Sequence, residues 1–414
     1  WSMREMKDSG IEWIGEIPAD WELSKIGTVY EERNEKVSDA DFPPLSVTKQ
    51  GVVPQLETAA KTNDGDNRKL IRKNDFVINS RSDRRGACGI SEYDGSCSLI
   101  NTVLKPRRNM CNAYYSFVFR SERFADEFYR WGNGIVDDLW STKWSNMKRI
   151  YIPVPSLQEQ RCIADYLDRK CSQIDAIIAQ QQKVIERLKV YKLSVITEAV
   201  TKGLNPNVST KDSGVEWIGE IPEHWSESTI LRNICFEGGS QPPLEYFIDE
   251  PREGYIRLIQ NRDYRTDDYA TYVPITMVSK FCTKEDVMIG RYGPPIFVIH
   301  RGLEGAYNVA LMKAIPVNID REFMFFYLQN STLLKYIESF SVRTAGQSGV
   351  NPNILKRYPM FIPPVEEQQQ IAKGLLQKCH YIDGLIANKK KLVEKLMSYK
   401  KSLIYEVVTG KKEV

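Results

Sequence analysis

The chain lacks any apolar run approaching the ~20 residues that cross a bilayer, and it shows no signal-peptide pattern. Both absences point to a cytoplasmic protein, with Met3 reading as the natural start after Trp1-Ser2. Histidine is scarce: His224, His300 and His380 lie far apart, and the eight cysteines form neither a C-x-x-C pair nor a tight Cys/His group. That speaks against structural zinc, and the cysteines read as reduced, mostly buried thiols. A phosphate-binding G-x-x-x-x-G-K-[ST] loop is missing, which removes a recognisable ATP-driven motor. An amino-methyltransferase needs a glycine-rich cofactor loop and an Asn/Asp-Pro-Pro-aromatic motif. FPPL (42–45), QPPL (241–244) and GPPI (293–296) have the prolines without the flanking groups. The acidic pairs Asp137-Asp138 and Glu285-Asp286 are the nearest approach to a metal nuclease site, and such pairs read as structural. The expectation is a polypeptide without catalytic residues, metal or cofactor of its own.

Net charge is only +3, so composition does not demand a nucleic-acid partner. The basic residues are nevertheless bunched, at Arg68-Lys69, Arg72-Lys73, Arg81 with Arg84-Arg85, Lys105 with Arg107-Arg108, and Lys148-Arg149. A near-neutral domain can still present one basic face.

What the sequence has in abundance is itself. KDSGIEWIGEIPADW (7–21) returns as KDSGVEWIGEIPEHW (211–225), and PSLQEQRCIADYL (155–167) returns as PPVEEQQQIAKGL (363–375). Lys7 and Lys211 are 204 residues apart, Arg81 matches Arg291 at 210, and Gln160 matches Gln368 at 208. Asn112 and Asp320, both good N-cap residues, each open an aromatic-rich helix. A repeat this long implies two whole domains of one design rather than a solenoid. The divisions read as a first module (1–155), a helix (156–204), a second module (205–363) and a second helix (364–414). β-Branched and aromatic runs alternating with turn signals make each module mixed α/β (α+β), with a largely antiparallel sheet.

Both helical segments carry a near-heptad apolar stripe. The first runs through Ile174, Ile177, Gln181, Val184, Leu188, Tyr191 and Val195; the second runs through Ile382, Leu385, Lys389, Leu392, Leu396, Tyr399 and Leu403. Each spans ~60 Å at 1.5 Å per residue, longer than a small domain. Two such stripes related by an internal pseudo-dyad can pair antiparallel. In that circular plan the box that begins the chain follows the last helix, so the two ends of the chain are expected close together.

This arrangement resembles the specificity subunit of type I restriction–modification enzymes. The matching residues are Pro155, Glu159, Gln160, Ile163 and Ala164, repeated as Pro363, Glu367, Gln368, Ile371 and Ala372, together with the boxes containing Trp13, Trp21, Trp217 and Trp225. The resemblance covers essentially the whole chain. It implies two pseudo-symmetric target recognition domains joined by two long antiparallel, coiled-coil-like helices, each domain reading one half of a bipartite site in double-stranded DNA. It also implies that the helix pair sets the spacing and docks two modification (methyltransferase) subunits, to which restriction subunits can add. S-adenosylmethionine then belongs to the methyltransferase partner.

Within the first module the candidates for DNA contact are Arg68, Lys69, Arg81, Arg84 and Arg85, then Thr142, Lys143 and Ser145 in WSTKWSN (140–146). In the second they are Arg291, Tyr292 and Arg301, then Arg343, Gln347, Ser348 and Asn351 in RTAGQSGVN (343–351). Arginine and lysine are expected to hold phosphates, while a smaller polar set reads base edges. Trp13 and Trp217 lie in the boxes that differ least between the halves, so they are expected to pack rather than read. The competing reading is a two-module adaptor that bridges proteins without touching DNA.

Overall fold

Each copy of the duplicated box closes a small hairpin. Met6–Asp8 pairs antiparallel with Glu16–Pro18, and Thr210–Asp212 with Glu220–Pro222. The Asp8 carboxylate accepts from the Gly10 N–H at 2.9 Å, and Asp212 accepts from Gly214 at 3.0 Å. This is an Asx turn, and it places Gly10 at φ 67° and Gly214 at φ 69°, where a Cβ would be penalised. The structure, a computed structural model, describes residues 4–55, 65–81, 85–107, 109–134, 140–293, 295–339, 343–344 and 347–414.

The chain folds as two units, Trp1–Gln182 with Lys390–Val414, and Lys183–Lys389. The divisions fall inside the two long helices, so each unit holds one mixed module and part of both helices. The first module carries α1 (Ile26–Val29), α2 (Asn112–Arg120), α3 (Glu122–Arg130) and α4 (Trp144–Met147), and leads into α5 (Leu157–Lys202). The second carries α6 (Ile230–Asn233), α7 (Arg321–Tyr327), α8 (Ser331–Ser339) and α9 (Pro352–Lys356), and leads into α10 (Val365–Val408).

One antiparallel sheet recurs in both modules. Its order is Cys88–Ile90, Phe76–Asn79, Asn101–Pro106, Tyr30–Glu32 in the first, and Val298–His300, Val287–Gly290, Leu311–Pro316, Ile234–Gly238 in the second. The aromatic residues of α2 and α3 pack on this sheet. Phe76 and Phe119 stand 4.6 Å apart between ring centroids, and Tyr30, Tyr115 and Phe124 complete a fully buried cluster. Burying each such ring stabilises the module by about 1.5–3 kcal/mol. The second unit also has a sheet ordered Tyr272–Pro274, Tyr255–Ile259, Gly305–Tyr307, Phe281–Cys282, in which the middle pair is parallel.

The repeated glutamines explain the P-x-x-x-E-Q motif. Gln160 donates to the Pro155 carbonyl at 2.9 Å and accepts from the Cys111 N–H at 2.9 Å. Gln368 does the same with the Pro363 carbonyl (2.9 Å) and the Asp320 N–H (2.7 Å). Each buried amide thereby ties the start of a long helix to the start of a module helix. The N-cap of α2 is Cys111, one residue before the expected Asn112, and it has no side-chain cap bond; its own N–H donates to Gln160. Asp320 caps α7 as expected. The preceding glutamates hold the boxes: Glu159 accepts from Arg4, which lies over the Trp21 ring, and Glu367 meets His224 and the Trp225 indole N–H.

Within each unit the long helices run antiparallel. In the first, the Tyr114 hydroxyl near the start of α5 donates to the Val408 carbonyl at the end of α10 (2.9 Å), while farther along α5 Asp175 meets Lys400 at 2.6 Å. In the second, Gly203 at the end of α5 lies against Glu367 at the start of α10, while Lys192 meets Asp383 at 2.6 Å. The two ends of the chain adjoin in the first unit: Tyr405 and Lys411 both donate to the Ile14 carbonyl, at 3.0 and 2.7 Å.

The buried face of these helices departs from the expected stripe. Ile174, Ile382 and Leu403 are buried, and Val184, Leu188, Val195, Leu385 and Leu396 are half-buried, but Ile177, Tyr191, Leu392 and Tyr399 are exposed. Ile185 and Val393 take the places assigned to Val184 and Leu392, and Lys192 and Lys400 those assigned to the two tyrosines. Adjacent apolar pairs such as Ile177-Ile178 and Val184-Ile185 satisfy a 3,4 spacing in either phase, so the stripe alone left the register ambiguous. Trp13 packs edge-on to Phe124, with ring centroids 5.6 Å apart, and Trp217 stacks on Tyr336 while remaining half exposed.

Candidate nucleic-acid interface

In both units a strand of the recurrent sheet ends beside a short helix, and the backbone joins them identically. The Thr142 N–H donates to the Ser80 carbonyl at 2.9 Å, and Arg81 bridges Ser141. In the second unit the Val350 N–H donates to the Arg291 carbonyl at 2.9 Å, and Tyr292 pairs with Gly349. Arg81 therefore corresponds to Tyr292, a spacing of 211, and Arg291 corresponds to Ser80. The sequence match of Arg81 to Arg291 was one residue out of step, and on a strand one residue reverses the side-chain direction. The two modules thus present different groups from one frame.

In the first unit this corner forms a 610 Å³ cleft whose exposed cations are Arg81, Lys143 and Lys148, with Ser80 and Ser145 between them. Three of the residues expected to contact DNA are buried, although Lys69 still lines this cleft. Lys69 is buried, its ammonium 3.0 Å from both the Glu32 carboxylate and the Asn101 carbonyl. Arg68 is buried and donates to the Ser96 hydroxyl at 2.8 Å. Thr142 is buried and donates to the Phe128 carbonyl at 2.6 Å. The first two open the strand Arg68–Ile71, all four residues of which are buried, so both of its faces are covered. Arg85 is exposed, pairs with Asp126 and lies over the Tyr129 ring. Arg84 lies outside the described residues.

In the second unit Tyr292 is exposed, and Arg291 lies over its ring at 5.3 Å while donating to the Val309 carbonyl at 3.2 Å. The Arg291 Nε is buried without a partner among the described residues. Arg301 is turned away from this corner, onto Glu322 (2.7 Å) and the Phe325 ring (3.9 Å). Of Arg343, Gln347 and Ser348 only the backbone is described, as a hairpin beside Tyr292. Asn351 caps α9, accepting from the Asn353 N–H at 2.9 Å. Lys356 ends α9 and Arg357 follows it, where Lys148 and Arg149 follow α4, the matching residues 208 apart. Sequence reading had noted the first pair and passed over the second, although the 208 spacing would have found it.

Among the described residues no three His, Cys, Asp or Glu side chains converge as a metal site. Asp286 instead accepts from the Thr283 N–H at 2.8 Å, closing a turn. Asp137 and Asp138 lie outside the described residues. Among them, too, no helix is long and apolar enough to cross a membrane.

Comparison with known proteins agrees with this architecture. Residues 18–187 and 270–395 match the family described as the type I restriction modification DNA specificity domain. The type I restriction enzyme MjaVIII specificity subunit of Methanocaldococcus jannaschii is 24% identical, covering 95% of this chain and 93% of its own length. A chain from a structural study of complex assembly and conformational transition in a type I R-M system has a TM-score of 0.70 at 14% identity, covering 95% of this chain and 98% of that one. The HsdS subunit from Thermoanaerobacter tengcongensis gives 0.51 at 15% identity, covering 96% and 98%.

Proposed function

The chain belongs to the type I restriction–modification DNA specificity family, and from that premise we propose that it is the sequence-reading subunit of such a complex. Each module reads one half of a bipartite duplex site, and the long helices set the distance between the halves and dock two methyltransferase subunits. Restriction subunits join that assembly, and methyl transfer from S-adenosylmethionine is the work of the methyltransferase partner.

The observation that carries this reading is the paired corner. The glutamine clamps, the sheet and the short helix repeat between units, while the groups presented there differ: Ser80, Arg81, Lys143 and Ser145 against Arg291, Tyr292 and Asn351. A shared frame with unlike surfaces suits two related readers of unlike sequences. Exposed Arg and Lys supply salt-sensitive phosphate contact, and polar side chains between them are suited to base edges.

The test is reconstitution with a methyltransferase subunit from the same host, followed by mapping of methylated bases on genomic DNA. A split motif with a fixed gap is expected. Methylation without any bipartite motif, or none at all, would refute the proposal.

A further inference from the structure

Sequence reading passed over the 3₁₀ turn Asn261–Tyr264, which carries no repeat motif and no basic cluster of its own. Its first residue nevertheless stands at the strand end that leads to Arg291 and Tyr292. Gly290, the last residue of that strand, pairs with Leu311 as Asn79 pairs with Asn101 in the first unit. Gly290 and Asn79 are thus equivalent at the 211 spacing. A Cβ on Gly290 would come within 2.7 Å of Asn261 Oδ1. An asparagine amide therefore occupies this strand end in both units, from the strand itself in one and from a separate turn in the other.

The amide of Asn261 is also oriented. His300 Nε2 lies 2.7 Å from Asn261 Oδ1, and the imidazole stacks on Tyr264 with ring centroids 4.2 Å apart. Burial, with the nearby Arg265 cation, holds His300 down to about 4, so near pH 7 the ring is neutral and carries a single N–H. Donated from Nε2 to Oδ1, that proton fixes which way the amide faces. Oδ1 is then enclosed between His300 and Gly290. Nδ2 makes no hydrogen bond among the described residues and is not sealed from solvent. Arg262 and Arg265 on the same segment are exposed cations suited to flanking phosphates.

We infer that Asn261 is a base-reading residue of the second module, offering its Nδ2 hydrogens to an acceptor edge in the DNA major groove, guanine N7/O6 or thymine O4, with His300 as its positioning residue. The inference rests on the DNA-reading function proposed above. An adenine is disfavoured, because the bidentate asparagine–adenine pair requires Oδ1 to accept from N6, and Oδ1 is turned toward His300.

The experiment maps methylation by the reconstituted complex with wild-type chain and with Asn261→Ala, Asn261→Asp and His300→Ala. In the wild type one position of the half-site read by the second module is a guanine or thymine, and the map says which. Asn261→Ala lowers discrimination at that position alone by about ten- to hundredfold, the range for one good side-chain–base pair, with the other half-site unchanged. Asn261→Asp keeps the shape but replaces donors with acceptors, and moves the preference toward cytosine or adenine, whose edges donate. His300→Ala relaxes the same position with Asn261 still present. A wild-type complex with no bipartite motif overturns the parent reading and this one with it. A clear wild-type motif that stays unchanged in Asn261→Ala and Asn261→Asp overturns the assignment alone.

Discussion

The Lys192 ammonium lies 2.6 Å from the Asp383 carboxylate, and Asp175 and Lys400 make the same contact at 2.6 Å. Asp175 and Asp383 are 208 residues apart, as are Lys192 and Lys400, so each long helix carries one acid and one base at matching places. These pairs are partly exposed, which limits each to roughly 0–1 kcal/mol. Lys192→Ala or Lys400→Ala should lower the unfolding free energy by no more than that in urea titration, and raising salt should shrink the difference. A loss of several kcal/mol would show that the pairs are more deeply desolvated than their exposure implies.

The glutamine clamps should weigh more. Gln368→Leu leaves the Asp320 N–H and the Pro363 carbonyl without their partner, and Gln160→Leu does the same to Cys111 and Pro155. Each buried group left unmatched costs about 1–3 kcal/mol. Denaturant midpoints should fall accordingly for both variants, while the methylated motif stays as in the wild type. A changed motif would place these amides in readout rather than in the frame.

Arg81, Lys143 and Lys148 should behave as phosphate contacts. Alanine at any one weakens duplex binding by the complex, and each true contact reduces the slope of log K against log salt by about 1. Arg68→Ala and Thr142→Val should instead lower thermal stability, since both side chains are internally bonded. Filter binding across a salt series, paired with thermal melts, separates the two groups.

The second unit should weaken in acid. Burial first, then the Arg265 cation, lowers His300 from its ordinary 6.5 to about 4. Between those values the unfolded chain binds the proton and the folded chain does not. The contribution is therefore complete above pH 6.5 and is lost as pH falls toward 4. His300→Asn should flatten that part of the stability profile, as followed by hydrogen exchange in the strand Val298–His300.

The scaffold was legible because it was written twice. The boxes, the E-Q motifs and the 208 spacing located equivalent elements without any knowledge of their packing. The reading surface was harder, for two physical reasons. Arg68 and Lys69 lie on a strand covered on both faces, so they are buried although they are among the most basic residues of their segment. The segment Asn261–Tyr264 belongs to a stretch whose counterpart in the first module has no matching sequence, so comparison of the halves could not flag it. In the helices, neighbouring apolar residues fitted two phases, and only packing chose between them.

The sequence by itself determined the two-fold plan, the pairing of modules with long helices, and the residues that fix the frame, because a duplicated motif constrains both copies to bond alike. Tertiary structure decided which cations face solvent, which phase of each helix is buried, and that Asn261 from a distant turn fills the space beside Gly290. Those outcomes depend on contacts between segments far apart in the chain, which no local pattern of residues encodes.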